Sequence, residues 1–439
     1  MEPEALARDV IAKLRGAGHQ AYLVGGCVRD MLLGAKPKDF DIATDARPDR
    51  IMDLFPRSGR VGAHFGVVLV RDVFDQVEVA TFRSDHDYLD GRHPEQVRFE
   101  GDPREDVMRR DFTINGLMLD PADGRVLDFV EGQSDLKAGV IRAIGDPYAR
   151  FREDHLRLMR GIRFAARLGF AIDAATMDAI RRDHALILKV SAERVRDELT
   201  RILTEGGARR GFELLDESGM LADILPEVAA MKGVEQPPEY HPEGDVWMHT
   251  LILLEQLRQP TTTLALGALL HDVGKPPTYS VSDRIRFNGH AEVGTRMAAA
   301  ICRRLRFSNE ETEQILALVA NHMRFGDIGK MKESTLKRFF RLPKFEEHLE
   351  LHRLDVTSSH NRLELYDFAK QRYRSAPAEE VRPPLLVTGA DLIAAGYRPG
   401  PGFREMLDAA EDAQLEGTIT TKDEGMALVR EMFGEPPAA

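Results

Sequence analysis

Two segments near the amino end, GGCVRD (Gly25 to Asp30) and DFDIAT (Asp39 to Thr44), constrain this chain more than any other feature. The first is a glycine-rich turn followed by an arginine. The second places two carboxylates at i and i+2. Side chains of a strand alternate faces, so a strand over DFDIAT projects Asp39 and Asp41 to the same side. Like charges held side by side repel and require cations nearby. Hard oxygen ligands suit Mg²⁺, which typically keeps contacts to a substrate's phosphates as well. D-x-D by itself is a common solvated turn, and GG-x-V-R-D by itself fits an ordinary strand-to-helix turn. Their succession (strand AYLV, turn, helix VRDMLLG, carboxylate strand) reads as a nucleoside triphosphate held over a metal-binding acid pair.

The 439 residues accommodate two to four domains. Lys and Arg total 60 against 72 Asp and Glu, a net charge of -12, which argues against indiscriminate coating of nucleic acid. Locally placed arginines remain available to grip phosphates. They concentrate from Arg142 to Arg210, with Arg150, Arg152, Arg157, Arg160, Arg163 and Arg167 in close succession. Cys27 and Cys302 are too few for a disulfide framework or a cysteine zinc site, and suit a reducing cytoplasm. The segment MEPEALARDVIAKLRGAGHQ reads as an amphipathic helix, because it lacks the uninterrupted apolar core of a signal peptide. No apolar run approaches the roughly 20 residues of a membrane span.

Periodicity divides the chain. Positions 20 to 130 alternate short β-rich runs (GVVLV, QVEVATF) with helical stretches, whereas from Asp146 apolar residues recur at helical spacing. The prediction is an α+β chain, a mixed-sheet head over 1–140 followed by an all-α remainder. KGVEQPPEYHPEGD (Lys232 to Asp245) and RSAPAEEVRPP (Arg374 to Pro384) read as breaks between helical units.

A third acid is needed beside the pair, and Glu78 of VEVATFR is the candidate. Two ions about 4 Å apart can hold the attacking and leaving oxygens of an in-line displacement. Downstream lie RRDFTINGLMLD (Arg109 to Asp120) and EDHLRLMRGIRFAARLGF (Glu153 to Phe170). Asp154 and Arg157, three apart, are expected on one helix face, where an acceptor beside a forked donor suits a base edge. Arg160 and Arg163 rotate away, toward phosphates or toward anchoring the helix.

GGCVRD, DFDIAT, VEVATFR, RRDFTING, EDHLRLMRGIRF and SAERVRDELTRIL occur in the order seen in class II tRNA nucleotidyltransferases, the CCA-adding enzymes of the polymerase-β-like superfamily, and Tyr22 to Leu225 resembles that family throughout. The resemblance implies template-independent addition of CCA to tRNA 3′ ends from CTP and ATP, with release of pyrophosphate. It implies catalytic Mg²⁺ on Asp39 and Asp41 with Glu78 assisting, a triphosphate grip by Gly26, Arg29 and Arg110, and nucleotide selection around Asp154, Arg157, Arg160 and Arg163. Bacterial poly(A) polymerases are similar over the same region, but carry a basic stretch where this chain has RVGAHFGVVLV. The loop Arg83 to Pro103, shortened in CC-adding members, is retained, so an A-adding enzyme is the nearer alternative. Gly116 and Gly161 stand where the family commonly has alanine, and Gly161 is expected to loosen its helix by about 1 kcal/mol.

A second constellation follows: His249, His271, Asp272, His290, His322 and Asp355. Imidazole with carboxylate suits a transition metal, and helix-bundle cores are natural sites for one. Val246 to His360 resembles an HD-superfamily phosphohydrolase domain. That resemblance implies a core site of His249, His271, Asp272 and Asp355 for a divalent transition metal or Mg²⁺, with His290 and His322 as further ligands; His360 is set aside. It also implies hydrolysis of phosphoesters such as 2′,3′-cyclic phosphates. A protein of a different class, an HD phosphohydrolase whose head serves only to bind RNA, is the rival reading. The resulting division is a head over 1–140, a helical neck over 141–231, an HD body over 246–374 and a helical tail over 384–439.

Overall fold

The computed structural model describes residues 2–60, 66–73, 75–88 and 94–436. Parts of the RVGAHFGVVLV segment and of the Arg83 to Pro103 loop lie outside the described residues. The chain forms two compact units, Met1–Ala229 and Ala230–Ala439. Among the described residues, no helix is long and apolar enough to cross a membrane.

The first unit rests on a seven-stranded mixed sheet. Its strands are β1 (Ala21–Val24), β2 (Asp41–Thr44), β3 (Ser58–Arg60), β4 (Val67–Arg71) and β5 (Gln76–Thr81). After a separate antiparallel pair, β6 (Arg83–Tyr88) and β7 (Pro94–Phe99), come β8 (Leu117–Leu119) and β9 (Val126–Asp128). The spatial order is β3-β4-β5-β2-β1-β8-β9, and only the β2–β5 pair is parallel. Helix α1 (Pro3–Gly16) buries Leu6, Ala7, Val10, Ile11 and Leu14, one stripe of an amphipathic helix. Each such leucine contributes roughly 1.5–3 kcal/mol by leaving water. Helix α2 (Gly26–Leu32) starts directly after β1, and Gly25 makes that turn at φ 72°, a region glycine enters without strain.

Beyond the sheet come α3 (Pro147–Glu153), α4 (Arg157–Leu168) and α5 (Ala192–Thr204). Strands β10 (Val140–Ile141) and β11 (Ala171–Ile172) pair in parallel beside them. Gly161 of α4 has a packing role that the propensity argument misses. A Cβ there would lie 3.1 Å from Phe112 Cζ, and the buried Phe112 ring meets Phe164 edge-on at 5.9 Å. The missing methyl lets the head's Phe112 seat against the helix. The same holds at Gly116, where a Cβ would lie 2.8 Å from Val130.

The second unit is helical: α6 (Val246–Glu255), α7 (Thr262–Leu270), α8 (His290–Arg304), α9 (Asn309–Asn321) and α10 (Phe345–Ser358). Leu253, Leu264, Ala268, Leu318, Leu351 and Leu354 form one core that ties α6, α7, α9 and α10 together. A two-stranded hairpin, β12 (Tyr279–Val281) with β13 (Ile285–Phe287), interrupts the helical pattern. The chain's one tryptophan, Trp247, is buried on α6 two residues before His249. Near the end, α11 (Gly402–Glu416) and α12 (Lys422–Phe433) pack around Val387, Leu392, Tyr397, Ala410, Met426 and Val429.

Helix α10 also buries His348 and His352, whose Nε2 atoms have no partner. Burial pushes both rings down to about 4 from the usual 6.5. The folded state therefore refuses protons that the unfolded chain accepts. Stability of the second unit is complete above pH 6.5 and falls as pH drops from 6.5 to 4, by up to about 3 kcal/mol per ring. Urea titrations of wild type against His348→Gln and His352→Gln between pH 7 and 4.5 check this: the variants lose less stability on acidification.

Candidate active sites

The parallel β2–β5 pairing makes Asp41 and Glu78 Cα partners, so both side chains leave the same face of the sheet. Asp41 is the first residue of β2, and Asp39 lies outside the strand. The alternation expected to align Asp39 with Asp41 thus starts only at Asp41. Asp41 lines a cleft of about 470 Å³ with Gly25, Gly26, Arg29, Arg110 and Arg157. Asp39 borders a second cleft with Lys38 and Arg71. Crowding by protein at the cleft, then the Glu78 charge and to a lesser degree that of Asp39, push the Asp41 carboxyl up to about 6, against the pull of Arg110. Among the described residues, the ligand triads that converge within 4.8 Å all belong to the second unit. Glu78 and Asp39 both act on Asp41 as like charges, hard oxygens whose repulsion a divalent cation relieves.

A ladder of arginines lines the cleft that Asp41 enters. A Cβ on Gly25 would stand 3.0 Å from Arg110 Nη1, so glycine lets the guanidinium lie against the turn. Arg110 Nη2 donates to Asp106 Oδ2 at 2.9 Å. Arg29 Nη1 donates to Asn115 Oδ1 (2.7 Å), Asn115 Nδ2 to Asp111 Oδ1 (3.0 Å), and Arg160 Nε and Nη2 to Asp111 Oδ2 (2.9 and 2.6 Å). Burial opposes ionisation of Asp111, but Arg160 and the Asn115 amide hold it well below the usual carboxylate range. Arg163 is buried and donates to Glu198 Oε2 of α5 at 2.6 Å, which fastens α4 to α5.

Asp154 and Arg157 do not share a helix face. Helix α3 stops at Glu153, α4 starts at Arg157, and Asp154 sits in the turn between them, accepting from the Leu156 N–H at 3.1 Å. That local side-chain-to-backbone bond competes with helix continuation. Both residues still line the first cleft. Asp154 accepts from Arg194 Nη2 (2.9 Å), and Arg157 donates to Glu153 Oε2 (2.7 Å) and the Arg109 carbonyl (2.9 Å). Asp106, Asp111, Asn115, Arg194 and Glu198 went unremarked in the sequence. The i, i+4 spacing of Asp111 and Asn115 within RRDFTING was the available signal.

In the second unit the six expected residues meet. His249 (α6), His271 and Asp272 (the end of α7), His290 (α8), His322 (the end of α9) and Asp355 (α10) converge as the core leucines draw their helices together. His271 Nε2 lies 3.3 Å from His249 Nε2, and His249 Nε2 lies 3.1 Å from Asp355 Oδ1. His290 Nε2 lies 3.2 Å from His322 Nε2, with Asp272 Oδ1 at 3.6 and 3.7 Å from the two. Asp272 Oδ2 turns the other way, 3.2 Å from His271 Nε2 and 2.7 Å from Lys275 Nζ.

The outer ring nitrogens explain why this set fits a metal. Nδ1 of His271, His290 and His322 donates to the carbonyls of Ala268 (2.9 Å), Phe287 (2.9 Å) and Val319 (2.7 Å). A carbonyl only accepts, so in the neutral rings the Nε2 lone pairs point inward. Burial keeps His290 below its usual value and pushes His322 down to about 4, which leaves facing lone pairs with no proton between them. Burial opposes a charge on His249, yet Asp355 and Glu243 raise it to about 9, so its ring carries a cation of its own. Glu243 Oε1 accepts from Nδ1 of both His249 (2.7 Å) and His241 (2.9 Å), the usual outer support of a metal-binding imidazole. Glu243, His241 and Lys275, the last also bonded to Gln236 Oε1 at 2.6 Å, come partly from the Pro/Gly-rich segment read as a mere break. Gly274 makes the assembly possible, because a Cβ there would fall 2.1 Å from the His290 carbonyl oxygen.

Two outcomes are expected. Gly274→Ala should destabilise the second unit by about 3 kcal/mol and lower its metal affinity, read by urea unfolding and calorimetric titration. Divalent-ion binding should release a proton from His249 at pH 7, so affinity rises as pH is raised toward 9; calorimetry in buffers of different ionisation enthalpy measures that release.

Residues 21–142 match the family model of the Poly A polymerase head domain, 169–232 that of the probable RNA and SrmB-binding site of polymerase A, and 244–367 that of the HD domain. A CCA-adding enzyme of Levilactobacillus brevis is 44% identical over 215 residues, 49% of this chain and 54% of that protein, so in this alignment the chain spans about half the relative's length. One from Lacticaseibacillus paracasei is 32% identical over 421 residues, covering 94% of this chain and 92% of that one. The crystal structure of the Bacillus stearothermophilus CCA-adding enzyme in complex with CTP matches with a TM-score of 0.76 at 28% identity, covering 98% of both chains. With the head, RNA-binding and HD regions in one succession, and a relative aligned along nearly its whole length, the chain belongs to the CCA-adding enzyme family.

Proposed function

We propose that this protein adds C, C and A to tRNA 3′ ends from CTP and ATP, releasing pyrophosphate. The observation that carries the reading is the register of Asp41 against Glu78 at the mouth of an arginine-lined cleft that also holds Asp154 and Arg157. Asp39, Asp41 and Glu78 would hold Mg²⁺, which supplies acidification of the primer 3′-hydroxyl and charge neutralisation at the triphosphate. The glycine turn at Gly26 lets the phosphates approach the backbone, and Arg29 and Arg110 hold the departing phosphates. The hydroxyl oxygen bonds to the α-phosphorus as the bond to pyrophosphate breaks. Asp154 accepts from the base's amino group while Arg157 donates to its ring acceptor. Asp111 keeps Arg160 fixed, and Glu198 keeps Arg163 fixed, so the selecting helix stays in place. This division of labour assigns 1–140 to the head, 141–231 to the neck, 246–374 to the HD body and 384–439 to the tail. Residence in the cytoplasm belongs to the same proposal, since structures of the same fold are titled tRNA-processing enzyme.

The histidine cluster supports a second activity, metal-dependent hydrolysis of phosphoesters. His249, His271, Asp272, His290, His322 and Asp355 would bind a divalent transition metal or Mg²⁺, which supplies an activated water.

The two activities separate by mutation. Asp41→Ala should lower nucleotide incorporation by at least about 10³-fold and spare phosphoester hydrolysis, and His271→Ala should do the reverse. Incorporation by Asp41→Ala at the wild-type rate would refute the head assignment. Purified protein should extend tRNAs ending before CCA, after C and after CC. Extension of the last alone means an A-adding enzyme, and continued addition of A means a poly(A) polymerase. Because the Asp41 carboxyl sits at about 6, the Mg²⁺ concentration for half-maximal incorporation should climb as pH falls below 6.

A further inference from the structure

The histidines of the HD cleft differ in which ring nitrogen is already engaged. In His271, His290 and His322 the proton is on Nδ1 and the lone pair on Nε2 faces inward. His360 is the reverse. Its Nδ1 accepts from the backbone N–H of Arg362 at 3.1 Å, which puts the proton of the neutral ring on Nε2. The local chain makes this bond. Helix α10 ends at Ser358, and Asn361, at φ 55°, turns the backbone through the left-handed region that asparagine tolerates, which brings the Arg362 N–H back over the ring. A ring so held cannot offer Nε2 to an ion; it can only donate.

His360 lines the same cleft, of about 380 Å³, as Asp272, His290, His322 and Asp355. So does Arg286 of β13, whose Nη2 pairs with Asp283 at 2.7 Å while its Nε is buried without a partner. Tyr240 and Phe287 add an aromatic lining. The cleft therefore combines inward lone pairs and carboxylates, which suit a cation, with N–H donors of a different origin, which suit the oxygens of an anion.

We propose that His360 is the phosphate-contacting residue of the HD cleft, donating Nε2–H to a non-bridging phosphoryl oxygen, with Arg286 Nε–H as a second donor. The ester's planar group rests against Tyr240 and Phe287. This rests on the phosphohydrolase reading given above and adds to it a residue outside the metal-binding set. The attacking water oxygen bonds to phosphorus as the bond to the ester oxygen breaks, its electron pair stays on that oxygen, which takes up the proton the water gives up, and the two donors hold the charge that gathers on the phosphoryl oxygens.

The test uses full-length protein loaded with Mn²⁺ and two probes, bis(p-nitrophenyl) phosphate and 2′,3′-cyclic AMP. His360→Ala should lower kcat/KM by about 10²-fold, the usual effect of removing one donor to a transition-state oxygen. Metal stoichiometry and CTP incorporation should stay at wild-type values, and His360→Gln, which keeps a donor, should recover most of the loss. Hydrolysis by His360→Ala at the wild-type rate overturns the proposal. Loss of bound metal in that variant also overturns it, since His360 would then be a ligand. A wild-type protein that incorporates CTP but hydrolyses neither probe with Mn²⁺, Mg²⁺, Co²⁺ or Ni²⁺ overturns the HD reading itself and this inference with it.

Discussion

Repulsion between carboxylates locked in register is the constraint around which the first unit is organised. The parallel β2–β5 pair sets Asp41 directly beside Glu78, and a slip of one residue would turn one of them to the other face. A sheet whose other pairs are all antiparallel carries its single parallel pair at the place where two acids must meet. The surrounding cations are themselves restrained by acids. Arg29 reaches Asn115, Asn115 reaches Asp111, and Asp111 grips Arg160, so two arginines lining the same cleft hang on one continuous chain of hydrogen bonds. Buried polar chains of this kind are stable only when every member is satisfied.

The second unit meets the opposite problem with the same logic. There the excess is of lone pairs, aimed inward on His271, His290 and His322 because backbone carbonyls have taken their outer protons. Asp272 sits at the centre with one oxygen toward each group of histidines, and a buried lysine balances part of its charge. In both units the backbone approaches closely at a glycine, Gly25 under Arg110 and Gly274 under the His290 carbonyl. At Gly274 a side chain would meet backbone, and at Gly25 it would meet the positive φ that glycine alone enters freely.

Much of this was legible in the sequence, for a physical reason. β-rich runs and glycine turns are local, so the strands around GGCVRD and within DFDIAT show in the sequence, while the six HD residues follow from their donor types and the resemblance to an HD domain. The alternation expected to align Asp39 with Asp41 does not hold, because β2 begins only at Asp41. What failed depended on contacts distant in sequence or on departures from periodicity. Asp154 and Arg157 looked like one helix face, but the aspartate uses its side chain to break the helix. Gly161 looked like a weakness in α4; it is the seat of Phe112, some fifty residues upstream. His241 and Glu243 lie in a Pro/Gly-rich segment with no period to read, and His360, set aside as less well placed for the ligand set, accepts at Nδ1 from the Arg362 N–H, a bond that spacing cannot show.

The position of Trp247 has a practical consequence. The chain's sole indole is buried on the helix that carries His249, so the protein's tryptophan emission originates wholly in its second unit. Metal uptake there perturbs the emission directly, whereas events confined to the first unit have no indole of their own to report them. The molecule thus comes with a native optical probe in its second unit, and a tryptophan introduced into the first unit would supply a second channel.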